Sequence, residues 1–170
     1  VRAALQNLRA GTTVSGGSTL TQQLARNIYM TEAERTERSL SRKLREAWLA
    51  WRIERTYSKD EVLAFYLNTT DYGHFARGLE AAAGAYFGMH ARELSLAQCA
   101  LLAGLPQYPP GYDPTQNFEA AKERQATVLS LMVEQGDINA DQARLAGQEA
   151  LALAATPFPI EAPHFVMWAQ

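Results

Sequence analysis

Apolar residues recur along the chain at three- and four-residue steps and nowhere in strict alternation, so the pattern predicts helices and no strands. Val1–Arg9 reads as a helix with Leu5 and Leu8 on one side, and Ala10–Gly17 as a Gly/Thr/Ser loop. Leu20, Leu24 and Ile28 form the next stripe. Thr19-Leu20-Thr21-Gln22 has the form of a capping box, which starts that helix at Ser18 or Thr19. After a polar break over Thr31–Arg35, the longest helix is predicted from Thr36 to Tyr57. Leu40, Leu44, Ala47 and Trp51 mark its core side, and Trp48 lies beside that stripe.

Ser58 and Glu61 form a second capping box, ahead of a helix with Val62, Phe65 and Tyr66 inside and its end near Asn68. An irregular loop over Thr69–Arg77 precedes a small-residue helix, Gly78–Phe87, closed by Gly88. Another helix over Ser95–Leu105 stops at Pro106. Four prolines within Pro106–Pro114 predict an extended connection. Helices are then expected over Asn117–Glu134 and, capped by Asn139, over Ala140–Ala154. The Pro-containing tail Thr156–Gln170 reads as an extended exit segment or linker. The class is all-α, with one domain over residues 1–155 and the exit segment over 156–170.

Composition adds bounds. Hydrophobic residues make up 47% of the 170 and charged residues 20%, which excludes wholesale disorder. No apolar run approaches the roughly eighteen residues that span a bilayer, and no basic-then-apolar leader pattern occurs. Cys99, the single cysteine, sits in an apolar stretch and reads as a small buried hydrophobe. The net charge of −2 conceals an asymmetry: residues 1–59 carry 11 Lys/Arg against 5 Asp/Glu, and residues 60–170 carry 5 against 13. A basic first part suggests an anionic partner.

The long helix places Arg38, Arg42, Arg45 and Glu46 on one side, with Lys43 at its border, at about 100° per residue. One reading is a solvated helix back with Arg42 and Glu46 as an i,i+4 pair. The other is a comb of guanidiniums for a phosphate or pyrophosphate, since arginine forks match phosphate oxygens two at a time. Upstream, Gly16-Gly17-Ser18-Thr19 leads into a helix N-terminus, which favours an anion. Gln22, Gln23, Arg26 and Asn27 cluster in six residues and suit a ligand rich in hydroxyls and amides. No His, Cys or carboxylate spacing resembles a zinc site, and His74 and His164 stand alone. Tyr72, Phe75, Tyr108 and Tyr112 lie in loops, where they could reach lipid or sugar.

These residues resemble a family. Gly16 through Asn27 is similar to the second signature of the family 51 glycosyltransferases, the peptidoglycan glycosyltransferase domains of class A penicillin-binding proteins. Arg42-Lys43-Leu44-Arg45-Glu46 resembles the third signature, and Lys59 to Leu63 with Tyr66-Leu67-Asn68 the fourth. Glu80-Ala81-Ala82-Ala83, Tyr86-Phe87-Gly88, Leu101 to Gln107 and Tyr112-Asp113-Pro114 follow in the same order.

The resemblance implies a lysozyme-like helical fold at the extracytoplasmic face of the bacterial cytoplasmic membrane, with the anchor outside this chain. It implies polymerisation of lipid II into glycan strands, with inversion at the anomeric carbon and release of undecaprenyl pyrophosphate. Ser18, Thr19, Gln22, Gln23, Arg26 and Asn27 would bind substrate. Arg38, Arg42 and Lys43 would lie near the pyrophosphate, with Glu46 as a catalytic acidic residue. The resemblance allows a divalent cation (Mg or Mn), although the sequence itself requires no cofactor. Implied partners are lipid II, the growing glycan strand, the membrane surface and a C-terminal transpeptidase domain, and no nucleic acid.

Departures are specific. The family's first signature, a Glu-Asp pair followed by Phe and His that carries the general base, is absent and is expected upstream of Val1. The stretch between Asn27 and Arg42 is longer than in many relatives. Ala64 stands where the fourth signature has a glutamate, and Asp71-Tyr72-Gly73 replaces Tyr-Phe-Gly. Two other classes compete. A lysozyme-like hydrolase would need two placed carboxylates. A non-catalytic helical module binding nucleic acid through the Arg face would show steep salt dependence, and the acidic second part argues against it.

Overall fold

The structure, a computed structural model, describes residues 19–31, 34–35 and 39–154. The expected Val1–Arg9 helix, the Ala10–Gly17 loop, Ser18, Thr36, Arg38, His164 and the exit segment lie outside the described residues. The chain divides into two compact units at Thr70/Asp71. Among the described residues the structure is all-α, the class predicted, and the one β-type pairing is an isolated bridge between Asp71 and Arg77.

In the first unit, α1 (Leu20–Tyr29), α2 (Leu40–Thr56) and α3 (Lys59–Thr69) begin at side-chain caps. The Thr19 hydroxyl accepts the Gln22 N–H at 3.2 Å and the Gln22 amide oxygen accepts the Thr19 N–H, so the predicted box forms. Ser58 and Glu61 do the same ahead of α3. Ser39 caps α2, so the described helix starts at Leu40 rather than Thr36.

The core of this unit joins Leu24, Ala25, Ile53 and Val62, with Leu49 and Tyr66 packed against it. The predicted core stripe of α2 is on the outside. Leu40 is 85% exposed, and Leu44, Ala47, Trp48 and Trp51 are exposed with it. The buried row is Glu46, Ala50 and Ile53. Two rows of α2 carry apolar side chains, and α1 and α3 meet the one containing Ile53. Both tryptophans of α2 carry a cation on the ring: the Arg52 guanidinium lies 5.0 Å from the Trp48 centroid and that of Arg55 4.9 Å from Trp51. In α1, Leu24 is buried as expected, whereas Leu20 and Ile28 are exposed and Thr21 and Ala25 replace them. Phe65, predicted inside, is also exposed.

The second unit holds α4 (Leu79–Phe87), α5 (Leu96–Gly104), α6 (Pro109–Tyr112), α7 (Phe118–Gln135) and α8 (Ala140–Gln148). Tyr86, Leu101, Leu102, Leu105 and Ala121 centre one cluster, and Ala97, Ala100, Leu129 and Ala146 another. Pro106–Pro114 is not extended. Its prolines start a 3-10 turn (Leu105–Gln107) and α6, the first positions of which need no N–H donor. The last helix stops at Gln148, and the chain then runs extended to let Ala154 donate to the Tyr86 carbonyl at 2.8 Å. Tyr72, expected as a loop ligand, is buried in the core, and Cys99 is exposed rather than buried. The loop at Gly73–Phe75 is tightly bent, with positive φ at all three residues. Phe75 is held at φ +59 with its ring in solvent.

Candidate anion-binding site

The site is built where the polar face of α1 meets α2. Glu46 is carried into the interior by the same helical row as Ala50 and Ile53, and its side chain is 1% exposed. A carboxylate at that depth needs partners. Arg42, one turn earlier on α2, bonds its Oε1 through Nη1. The Lys43 ammonium donates to Oε2 at 3.0 Å. Arg26, from α1, brings its Nε to 3.9 Å from Oε1. Among the described residues, three cations therefore converge on one acid, and the cluster is cationic. The arginines and the lysine are partly exposed while the acid is covered, so an approaching ligand meets the cations.

This arrangement departs from the expected comb at Arg45, and Arg38 lies outside the described residues. Arg42 and Glu46 do share a face, but Arg45 turns away and donates to Glu34 at 2.7 Å. Glu34 is itself the acid of a cap at Thr31, whose backbone N–H and hydroxyl donate to it. Those bonds, with Arg45 beside them, hold its carboxyl below the usual range. Arg35 reaches back to the carbonyls of Asn27 and Met30 and closes the end of α1. A cleft of about 190 Å3 lies here, lined by Met30, Glu34, Ser41, Arg42 and Arg45. A larger one of about 590 Å3, whose lining includes Thr19, Leu20, Tyr57, Lys59, Val62 and Leu63, holds none of the converging cations.

The remaining α1 residues divide by role. Thr19 and Gln22 are engaged in the helix cap. Gln23 accepts a hydrogen bond on its Oε1 from the Tyr66 hydroxyl of α3, at 3.2 Å. Asn27 is half-buried at the end of the helix, its carbonyl held by Arg35. Ser18 and Arg38 lie outside the described residues. Sequence reasoning missed Glu34 and Tyr66. Thr31-Glu-Ala-Glu34 has the capping-box spacing and was available as a signal. No local pattern links Tyr66 to Gln23, 43 residues earlier.

Among the described residues no three His, Cys, Asp or Glu side chains gather as a metal site. Glu46 is covered by cations on both oxygens, so this donor set does not fit a divalent cation held by protein ligands alone.

The comparisons with known proteins agree on one family. The model of the family described as Transglycosylase matches residues 1–133. Penicillin-binding protein 1A of Aquifex aeolicus (strain VF5) is 50% identical over 142 residues, which is 84% of this chain and 19% of that protein. Penicillin-binding protein 2D of Bacillus subtilis (strain 168) is 48% identical over 141 residues, 83% of this chain and 20% of that protein. The chain thus spans about a fifth of the length of these relatives. Among solved structures, the 2.6 Å crystal structure of penicillin-binding protein 1A from Haemophilus influenzae matches with a TM-score of 0.56 at 23% identity. That match covers 92% of this chain and 20% of the other, and it bears on the fold, all-α and lysozyme-like.

Proposed function

Since the chain belongs to the transglycosylase family, we propose that it is the glycosyltransferase part of a peptidoglycan polymerase that uses lipid II. The observation that supports this most is the group of three cations, Arg26, Arg42 and Lys43, ordered on the buried Glu46. In the proposed reaction the 4-hydroxyl oxygen of the acceptor sugar attacks the anomeric carbon of the donor from the face opposite the leaving group. The new C–O bond forms as the bond from that carbon to the pyrophosphate oxygen breaks, which inverts the centre. The electron pair leaves with undecaprenyl pyrophosphate, and the hydroxyl proton goes to a general base that these residues do not assign. Charge develops on the departing diphosphate, and fixed cations that need no reorganisation stabilise it most. Glu46 serves by holding those cations in place.

Residues 1–155 form the transferase domain in this reading, and 156–170 lead out of it. The partners are lipid II, the growing strand and a transpeptidase domain, and the work is done at the outer face of the cytoplasmic membrane. Among the described residues no helix is long and apolar enough to cross a membrane. A hydrolase is less well supported, because retaining or inverting cleavage takes two placed carboxylates, and among the described residues the three cations converge on one, Glu46, already covered.

The test is the full-length product of the gene, purified and incubated with lipid II. Glycan strands with inverted linkages, released together with one undecaprenyl pyrophosphate per bond formed, are expected. Fragments cut from finished glycan, with no polymer from lipid II, would refute the proposal.

A further inference from the structure

We infer that Tyr66 is a positioning residue that sets which way the Gln23 side-chain amide faces, an inference that rests on the transferase reading for its ligand. The hydroxyl of Tyr66 lies 3.2 Å from Gln23 Oε1 and donates to it. An amide has an oxygen end and an N–H2 end, related by a half-turn of similar intrinsic energy. With the oxygen engaged by Tyr66, the N–H2 end takes the other branch of the amide and is the end left to meet a ligand. Arg26 stands three residues further along α1, so the two share a face. The site therefore offers donors at both positions, which suits phosphate and sugar oxygens. The opposite orientation would present a carbonyl oxygen to an anion, and that repels.

Tyr66 is built to hold this contact. Its ring packs against the cluster of Leu24, Ala25, Ile53 and Val62. Its backbone carbonyl accepts from the Thr70 N–H at 3.0 Å and the Thr70 hydroxyl at 2.7 Å, at the very end of α3. Thr70 is itself buried. A half-buried ring packed against the core and a carbonyl fixed at the helix end restrict where the hydroxyl can go. A residue needed for packing alone would be served equally well by Phe.

The experiment is a double-mutant cycle of Tyr66→Phe and Gln23→Ala in the full-length protein, assayed with lipid II, together with side-chain amide NMR of the 170-residue chain. Tyr66→Phe should shift the Gln23 N–H2 resonances, raise KM about three- to tenfold and leave kcat within about twofold, as expected for one neutral hydrogen bond used in binding. In the Gln23→Ala background the same change should do nothing further. An unmoved Gln23 resonance, an equal loss in both backgrounds, or a fall in kcat with a lower Tm would overturn it. A wild type that makes no polymer would count against the transferase reading alone, and the amide resonance would still decide the Tyr66 contact.

Discussion

Arg26 and Glu46 sit on different helices, and the Nε of the first lies 3.9 Å from Oε1 of the second. This places a side chain of α1 onto the acid of α2, across the packed faces of the two helices. Glu46 is covered and Arg26 is a third exposed, so the buried acid orders a cation that solvent still reaches.

Glu46→Gln removes the charge and keeps the shape. Three cations then lose their counter-ion, although each retains access to water. Polymerisation of lipid II should fall at least about tenfold, and unfolding free energy by about 1–3 kcal/mol, with helicity retained. Chemical denaturation and a polymerisation assay measure both, and near-normal polymer would refute the role given to Glu46.

Arg42 and Arg45 are near neighbours in the chain with different tasks. Arg42→Ala should weaken inorganic pyrophosphate binding at least about tenfold, the worth of a charge-assisted bond. Arg45→Ala, which breaks a half-exposed pair with Glu34, should leave affinity within about twofold and cost under about 1 kcal/mol. Calorimetric titration of the 170-residue chain separates them.

The two rows of α2 should respond unequally to truncation. Ile53→Ala, in the core, is expected to cost about 2–4 kcal/mol. Leu40→Ala, on the exposed row, should cost no more than about 0.5 kcal/mol. Equal losses in urea denaturation would contradict the placement of that helix.

Phe75→Gly should stabilise the protein. A bulky residue at φ +59 costs about 1–2 kcal/mol and glycine's extra unfolded-state entropy costs about 0.5–1, so a net gain of up to about 1.5 kcal/mol is expected. The side chain is fully exposed and gives up no packing. A Tm raised by a few degrees is the readout.

Glu80 and His90 form an exposed pair, with Nδ1 2.6 Å from Oε1. The His90 bond holds the Glu80 carboxyl below 4.5, and the Glu80 bond holds the imidazole above 6.5. The raised His contributes stability that is full below pH 6.5 and lost as pH rises through its folded value. The lowered Glu contributes stability that is full above pH 4.5 and lost as pH falls through its own. The pair should therefore stabilise most between about pH 4.5 and 6.5. A His90→Ala variant should unfold more easily than wild type in that window and converge with it toward pH 9, as followed by thermal melts.

Helix class and several helix starts were legible along the chain, because a cap or a capping box is made within one turn; the start of α2 at Leu40 and the short α6 were not. The boxes of Thr19 with Gln22 and Ser58 with Glu61 form where their spacing predicts, and Asn139 caps α8 as expected. The contacts of Arg42 and Lys43 with Glu46 are local for a similar reason, since spacings of four and three residues bring them together on a single turn. Burial was not legible along the chain. α2 has apolar side chains on two rows, and only the arrival of α1 and α3 decided that Ile53 goes inside and Leu40 outside. The same packing took Arg45 to Glu34, brought Arg26 to Glu46 and set Tyr66 against Gln23. Hydrogen bonds within a turn belong to the local chain, whereas the choice of a buried face depends on surfaces that are distant in sequence and meet only on folding.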